Sequence, residues 1–318
     1  MQIKSGIINI DKAAGITSQD VVAAVRRKLR AWDIRKVGHT GTLDPMATGV
    51  LPVCFGKATR IIEYFEGDFK EYSVILKLGA VTDTFDATGT FVQQNSYEYV
   101  NEQIVRKAFS KYDGVIEQVP PIYSALKLEG RPLYEYARRG EHVDLSSKKR
   151  KVYLSGAKII HIDIRSGEVE FSIKCSKGTY IRSICYDIGR DIGCGAYMKS
   201  LRRTGSGVFT ENSSISIENV MRAEIAEFGK MIIPMDYALV NLGIINLDVN
   251  YAKYFIQGRK IGKDGYEITS APRSWYPYRV SDSMSSYRVY AIGGFIGVAG
   301  IGNNGELFPK KVIADGNI

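Results

Sequence analysis

Gly38-His39-Thr40-Gly41-Thr42-Leu43-Asp44-Pro45-Met46-Ala47-Thr48-Gly49 carries more information than any other part of the chain. It sets one carboxylate, Asp44, among three glycines, three threonines and a histidine, and the apolar run Val50-Leu51-Pro52-Val53 follows at once. Glycine lets a backbone approach a ligand closely, so the loop suits bringing Asp44 against something flat or bulky. An isolated Asp-Pro ordinarily starts a turn. The order of all twelve residues sets this one apart.

The surrounding composition bounds the rest. At 318 residues the chain is long enough for two domains, and its 45% hydrophobic and 24% charged residues are those of an ordinary globular protein. A formal net charge of +9 favours a polyanionic partner, because lysine and arginine displace counterions from phosphates. Cys54, Cys175, Cys185 and Cys194 show no Cys-x-x-Cys spacing and read as reduced thiols of a cytoplasmic protein. The start, MQIKSGIINI, lacks the apolar core of a signal peptide, and no run is long enough to span a bilayer, so no membrane contact is expected. Gly49 to Lys57 fails as a Walker A loop, since its glycines are too far apart and Ala58 follows the lysine. His39, His142 and His161 form no ligand pair, so no metal site is expected.

Local patterns give the elements. Gly6 to Ile10 reads as a strand, and Val21, Val22, Val25 and Leu29 recur at helical spacing after Ser18 and Asp20. The charged face of that helix (Arg26, Arg27, Lys28, Arg30) is more often solvated than bound to RNA. Ile61, Ile62 and Phe65 predict a short amphipathic helix. Lys70 to Leu78 alternates as a strand, as does Val169 to Cys175, and Ile181, Ile184, Cys185 and Ile188 predict a helix ending near Gly189. Strands interspersed with helices make residues 1–243 an α+β (mixed α/β) core. From about Ile244, short apolar runs broken by glycine, with Gly293 to Gly300 the clearest, predict a small β-rich domain over 244–318.

Four further segments extend the pattern of the Asp44 loop: Asp11-Lys12-Ala13-Ala14-Gly15-Ile16-Thr17-Ser18, Lys70-Glu71-Tyr72-Ser73-Val74, Cys175-Ser176-Lys177-Gly178-Thr179-Tyr180-Ile181-Arg182-Ser183 and Ser200-Leu201-Arg202-Arg203-Thr204. In this order the five segments resemble the motifs of the TruB family of tRNA pseudouridine synthases over most of residues 5–240. Ala13 departs from the pattern, which usually has proline there. The resemblance implies a pseudouridine-synthase core around a large mixed, mostly antiparallel sheet, followed by a PUA-like RNA-binding domain. It implies isomerisation of uridine to pseudouridine at position 55 in the T-loop of tRNA, on a flipped-out base and with no cofactor. Asp44 is then the nucleophile, Arg182 the arginine paired with it, and Tyr72 the active-site tyrosine. Leu201 lines the base pocket, Tyr180 and His39 meet the RNA, and Asp83 supports Arg182 or simply closes a turn.

Residues 112–150 carry aromatics among cations, with seven Lys or Arg and three Asp or Glu between 131 and 151. Such interleaving suits a surface that grips an RNA loop through stacking and phosphate contact, and an amphipathic helix is the plainer alternative. The resemblance makes this region a mobile thumb, with Tyr123 and Lys127 among its RNA contacts, ordered by the T-stem-loop. The expected state is a monomer without an obligatory protein partner. The rival from another class is a non-catalytic protein that binds and folds the T arm of tRNA.

Overall fold

The computed structural model describes residues 4–67, 69–141, 143–273 and 286–314. Two compact units hold them: one drawn from 1–45, 49–68 and 206–318, the other from 46–48 and 69–205. His142 lies outside the described residues.

In the first unit, strand β1 (Gly6–Lys12) is buried along nearly its whole length. Helix α1 (Ser18–Leu29) is capped by Thr17. The Thr17 hydroxyl accepts from the Asp20 amide, and the Asp20 carboxylate accepts from the Thr17 amide. Its buried face is Val21, Val22, Val25 and Leu29, the spacing read from sequence. Strands β2 (Val37–His39) and β3 (Thr48–Phe55) follow, β3 running antiparallel to β1 from Gly6 opposite Phe55 to Lys12 opposite Gly49. The amphipathic stretch after β3 forms a 3-10 helix, Gly56–Gly67, rather than an α-helix.

The second unit contributes β4 (Lys70–Leu78), β5 (Ala80–Thr82), β6 (Phe91–Gln94), α2 (Glu102–Phe109) and β7 (Gly114–Gln118). A hairpin of β8 (Lys127–Leu128) and β9 (Arg131–Pro132) leads into α3 (Leu133–Arg138), then β10 (Arg150–Asp163) and β11 (Glu168–Cys175). Helix α4 (Ile181–Ile192) and strand β12 (Ala196–Ser206) complete it. Helix α4 runs past the predicted stop at Gly189 and ends at Gly193, whose φ of +98° gives the left-handed cap. Gly189 serves packing instead, because a Cβ there would lie 2.1 Å from the Ala196 amide nitrogen.

The first unit resumes with β13 (Phe209–Thr210), β14 (Ile215–Ser216), α5 (Ile217–Arg222) and α6 (Ile225–Lys230). After β15 (Gly243–Asn246) come α7 (Val249–Ile256), β16 (Glu267–Ser270), β17 (Ser286–Ala291), β18 (Gly294–Ile301) and β19 (Leu307–Val312). The strand order runs β14-β1-β3 in the first unit and β12-β4-β11-β10-β7 in the second. β1 and β14 are parallel, while β1–β3, β4–β11, β11–β10 and β10–β7 are antiparallel, so the expected mixed, mostly antiparallel sheet is present. A separate five-stranded sheet, β16-β15-β17-β18-β19, packs around Ile245, Phe255, Val289, Ile296 and Leu307, which is the expected β-rich C-terminal part. Among the described residues no helix is long and apolar enough to cross a membrane.

Candidate active site

Asp44 is half-buried, and the peptides on both sides of it are tied down. The Leu43 amide donates to Ser18 Oγ at 2.9 Å, and the Leu43 carbonyl accepts from the same hydroxyl at 3.1 Å. The Pro45 carbonyl accepts from the Gly15 amide at 2.9 Å and from Lys12 Nζ at 3.1 Å. Lys12 is 0% exposed, and its ammonium also donates to the carbonyls of Ala13 and Ile16 at 2.8 and 2.7 Å. A buried charge needs such partners, so the Asp11–Ser18 segment acts as the anchor of the Asp44 loop. Alanine in place of proline at 13 keeps the carbonyl that Lys12 uses. His39 ends β2, and its Nδ1 accepts from the Gly41 amide at 3.3 Å.

In the second unit Arg182 sits in the first turn of α4 and is 5% exposed. Its Nη2 donates to the Tyr123 carbonyl at 3.0 Å and its Nη1 to the Thr84 carbonyl at 3.2 Å. A carboxylate beside it is Asp86, with Oδ2 3.7 Å from Nη1, while Asp83 takes the second of its two expected roles. Asp83 closes its own turn by accepting from the Thr90 amide at 2.8 Å. Asp86 Oδ1 accepts from the Thr84 hydroxyl (2.8 Å), the Thr88 amide (2.9 Å) and the Thr88 hydroxyl (2.6 Å). The Thr82 hydroxyl donates to the Asp86 carbonyl. Phe85, between them, has φ +60°, which strains a side chain of that size, and its ring stacks on Tyr186 of α4 at 4.2 Å. The loop is thus bent and pinned so that a carbonyl and a carboxylate both face Arg182.

The second unit also holds Tyr72, Tyr123, Lys127, Tyr180 and Leu201. Tyr180 is the N-cap residue of α4, and Gln118 clamps its backbone, accepting from its amide at 2.8 Å and donating to its carbonyl at 2.9 Å. The Arg150 guanidinium stacks over the Tyr180 ring at 4.5 Å. Tyr72 on β4 is buried, as is Leu201 on β12, and the Tyr72 hydroxyl is hydrogen-bonded to Arg203, two residues beyond Leu201. Tyr123 reaches Arg182 through its backbone carbonyl, and Lys127 is exposed on β8. Within the 112–150 region Arg131 is taken up internally, paired with Glu141 and stacked on Tyr136 at 3.6 Å.

Sequence reasoning passed over Asp86, Arg203, Gln118 and Lys12. Asp86 had a readable signal, since Thr82, Thr84, Thr88 and Thr90 fall at even spacing around it. A buried arginine such as Arg203 gives none. The first unit also holds a hollow lined by Lys4, Arg35, Lys36, Lys57 and Arg60 against the single acid Asp33, a basic surface of the kind a polyanion would meet.

The fold has a solved counterpart in a chain from a crystal structure of a Cbf5-Nop10-Gar1 complex. The two superpose with a TM-score of 0.74 at 26% identity, covering 99% of this chain and 87% of the other. The two chains therefore share one architecture. Sequence makes it particular. One family model, described as the TruB family pseudouridylate synthase N-terminal domain, matches residues 26–181. A second, the tRNA pseudouridylate synthase B C-terminal domain, matches 182–240. The tRNA pseudouridine synthase B of Chromohalobacter salexigens is 36% identical over 308 residues, 97% of this chain and 94% of that protein. The protein of that name from Clostridium acetobutylicum is 44% identical over 256 residues, 80% of this chain and 85% of the relative. The chain belongs to the TruB family of pseudouridylate synthases.

Proposed function

We propose that this protein isomerises uridine to pseudouridine in tRNA, at position 55 of the T-loop, with Asp44 as nucleophile. Family membership supports the reaction, and the anchoring of the Asp44 loop supports the residue. With Leu43 held twice by Ser18, and Pro45 held by Gly15 and Lys12, the one carboxylate of the signature stretch is fixed at its root.

Uridine and pseudouridine are isomers, so stoichiometry requires no redox carrier, nucleoside triphosphate or metal. The uracil leaves C1′ through N1 and rejoins it through C5. C5 then loses its proton and N1 gains one. Asp44 must be ionised to act, and a guanidinium is the group that keeps a carboxylate ionised and aims it through paired hydrogen bonds. Arg182 is assigned that role, with Asp86 and the Thr84 and Tyr123 carbonyls orienting its planar fork. Tyr72 stacks on the uracil and handles the C5 proton, and Leu201 walls the apolar side. A base inside folded RNA must be turned out of its stack, which costs a few kcal/mol, and His39 fills the vacated space. Residues 112–150, with Tyr123, Lys127 and nearby Tyr180, grip the T-stem-loop, and the 244–318 domain adds a PUA-like RNA contact. The protein acts as a monomer in the cytoplasm.

Release of tritium from C5-labelled uridine in unmodified tRNA tests this directly. Isomerisation frees one tritium per tRNA converted, and a protein that only binds and folds the T arm frees none.

A further inference from the structure

Arg203 is 1% exposed and heads the fully buried side chains by size. Burying a guanidinium is expensive unless the charge meets a partner. One partner is Tyr72, itself 8% exposed, on the neighbouring strand β4. Arg203 and Leu201 are two residues apart on β12, and both are buried, so they share one face of that strand. The arginine therefore lies on the side assigned above to the base pocket.

Arginine carries only donors, so in this bond the Tyr72 oxygen must accept. Burial draws the guanidinium down from its ordinary value, and Tyr72 pushes it back, as charge and as hydrogen-bond acceptor. Cys175 on β11 acts on Arg203, and Lys70 on β4 lies directly opposite Cys175 in register. Burial pushes the Cys175 thiol up to about 12 against the pull of Thr179, Lys70 and Arg203, so it stays neutral. Glu71 and Lys174, on the alternate face, pair with each other at 2.8 Å.

We infer that Arg203 is a positioning residue whose guanidinium holds the Tyr72 phenol oxygen in place, so that Tyr72 can take the C5 proton. The inference rests on the isomerase reading above. In the step, the C5–H bond breaks and its proton goes to the Tyr72 phenolate, giving the phenol. The released electron pair forms C5=C6, the C6=N1 pair moves to N1, and N1 takes a proton from water.

Single-turnover conversion of a T-stem-loop RNA carrying protium or deuterium at C5 tests it, across pH 6–9.5, in the wild type, Arg203→Gln, Arg203→Lys and Tyr72→Phe. Arg203→Gln should slow conversion roughly a hundredfold, raise the isotope effect and move the rate profile to higher pH. Arg203→Lys, which keeps the charge, should recover part of each change. An isotope effect and pH profile in Arg203→Gln equal to the wild type's would overturn the inference, as would full activity in Tyr72→Phe. If Arg203→Gln does not fold, Arg203→Lys decides: an isotope effect above the wild type's supports the inference, and an equal one ends it. Wild-type protein that makes no pseudouridine at all would instead sink the isomerase reading.

Discussion

Asp86 and Asp83 lie three residues apart in one loop and carry very different loads. Asp86 is 4% exposed, accepts three hydrogen bonds on Oδ1 and stands beside Arg182, whereas Asp83 is half-buried and accepts one backbone bond. Asp86→Asn should lose about 2–3 kcal/mol of stability and slow conversion, because hydrogen bonds to a buried charge are the strong ones. Asp83→Asn should stay within about 0.5 kcal/mol. Urea unfolding and initial rates on both variants check the contrast, and equal losses would contradict it. The pair also marks what sequence could tell. The Asp44 loop was legible because twelve residues in fixed order leave one carboxylate. Thr82, Thr84, Thr88 and Thr90 centre on Asp86 and not on Asp83, which the sequence shows, but only the fold shows that Asp86 stands beside Arg182. Arg203 was hidden for another reason: nothing in the sequence marks which arginine of a basic chain is buried.

Period and caps fixed most of the elements. The α1 face and the alternation of β4 and β11 were readable, since each buries the residues its pattern marks. The end of α4 was not, because Gly189 and Gly193 are equally plausible stops. Only packing separates them, Gly193 taking the left-handed φ and Gly189 meeting the chain at Ala196. Gly189→Ala would push a methyl against backbone 2.1 Å away, where no flexible side chain can yield. About 1–3 kcal/mol of destabilisation is expected, with β12, the strand of Leu201 and Arg203, displaced. A urea midpoint and conversion rate equal to the wild type's would show that this contact does not hold β12 in place.

Across the whole molecule, charge and buried thiols set the behaviour. With a net charge of +9 and about five phosphates contacted, RNA affinity should fall roughly a hundredfold between 50 and 200 mM salt. A flat response in a binding titration would remove the electrostatic part of recognition. Burial raises the thiols of Cys54, Cys175 and Cys185 above their ordinary value of 9.0, so the folded chain holds three protons that the unfolded chain releases first. That stability is complete below pH 9 and is lost as pH rises beyond it, by about 4 kcal/mol per pH unit for three such groups. Unfolding free energies equal at pH 8 and 10 would contradict it. The central claim concerns one oxygen, and one measurement meets it head-on: purified protein and its Asp44→Asn variant are each incubated with unmodified tRNA, and pseudouridine is mapped by carbodiimide-dependent reverse-transcription stops. A stop at the T-loop uridine with the wild type, and none with a variant that still binds tRNA, is the predicted result. The same stop from both proteins, or from neither, would contradict it.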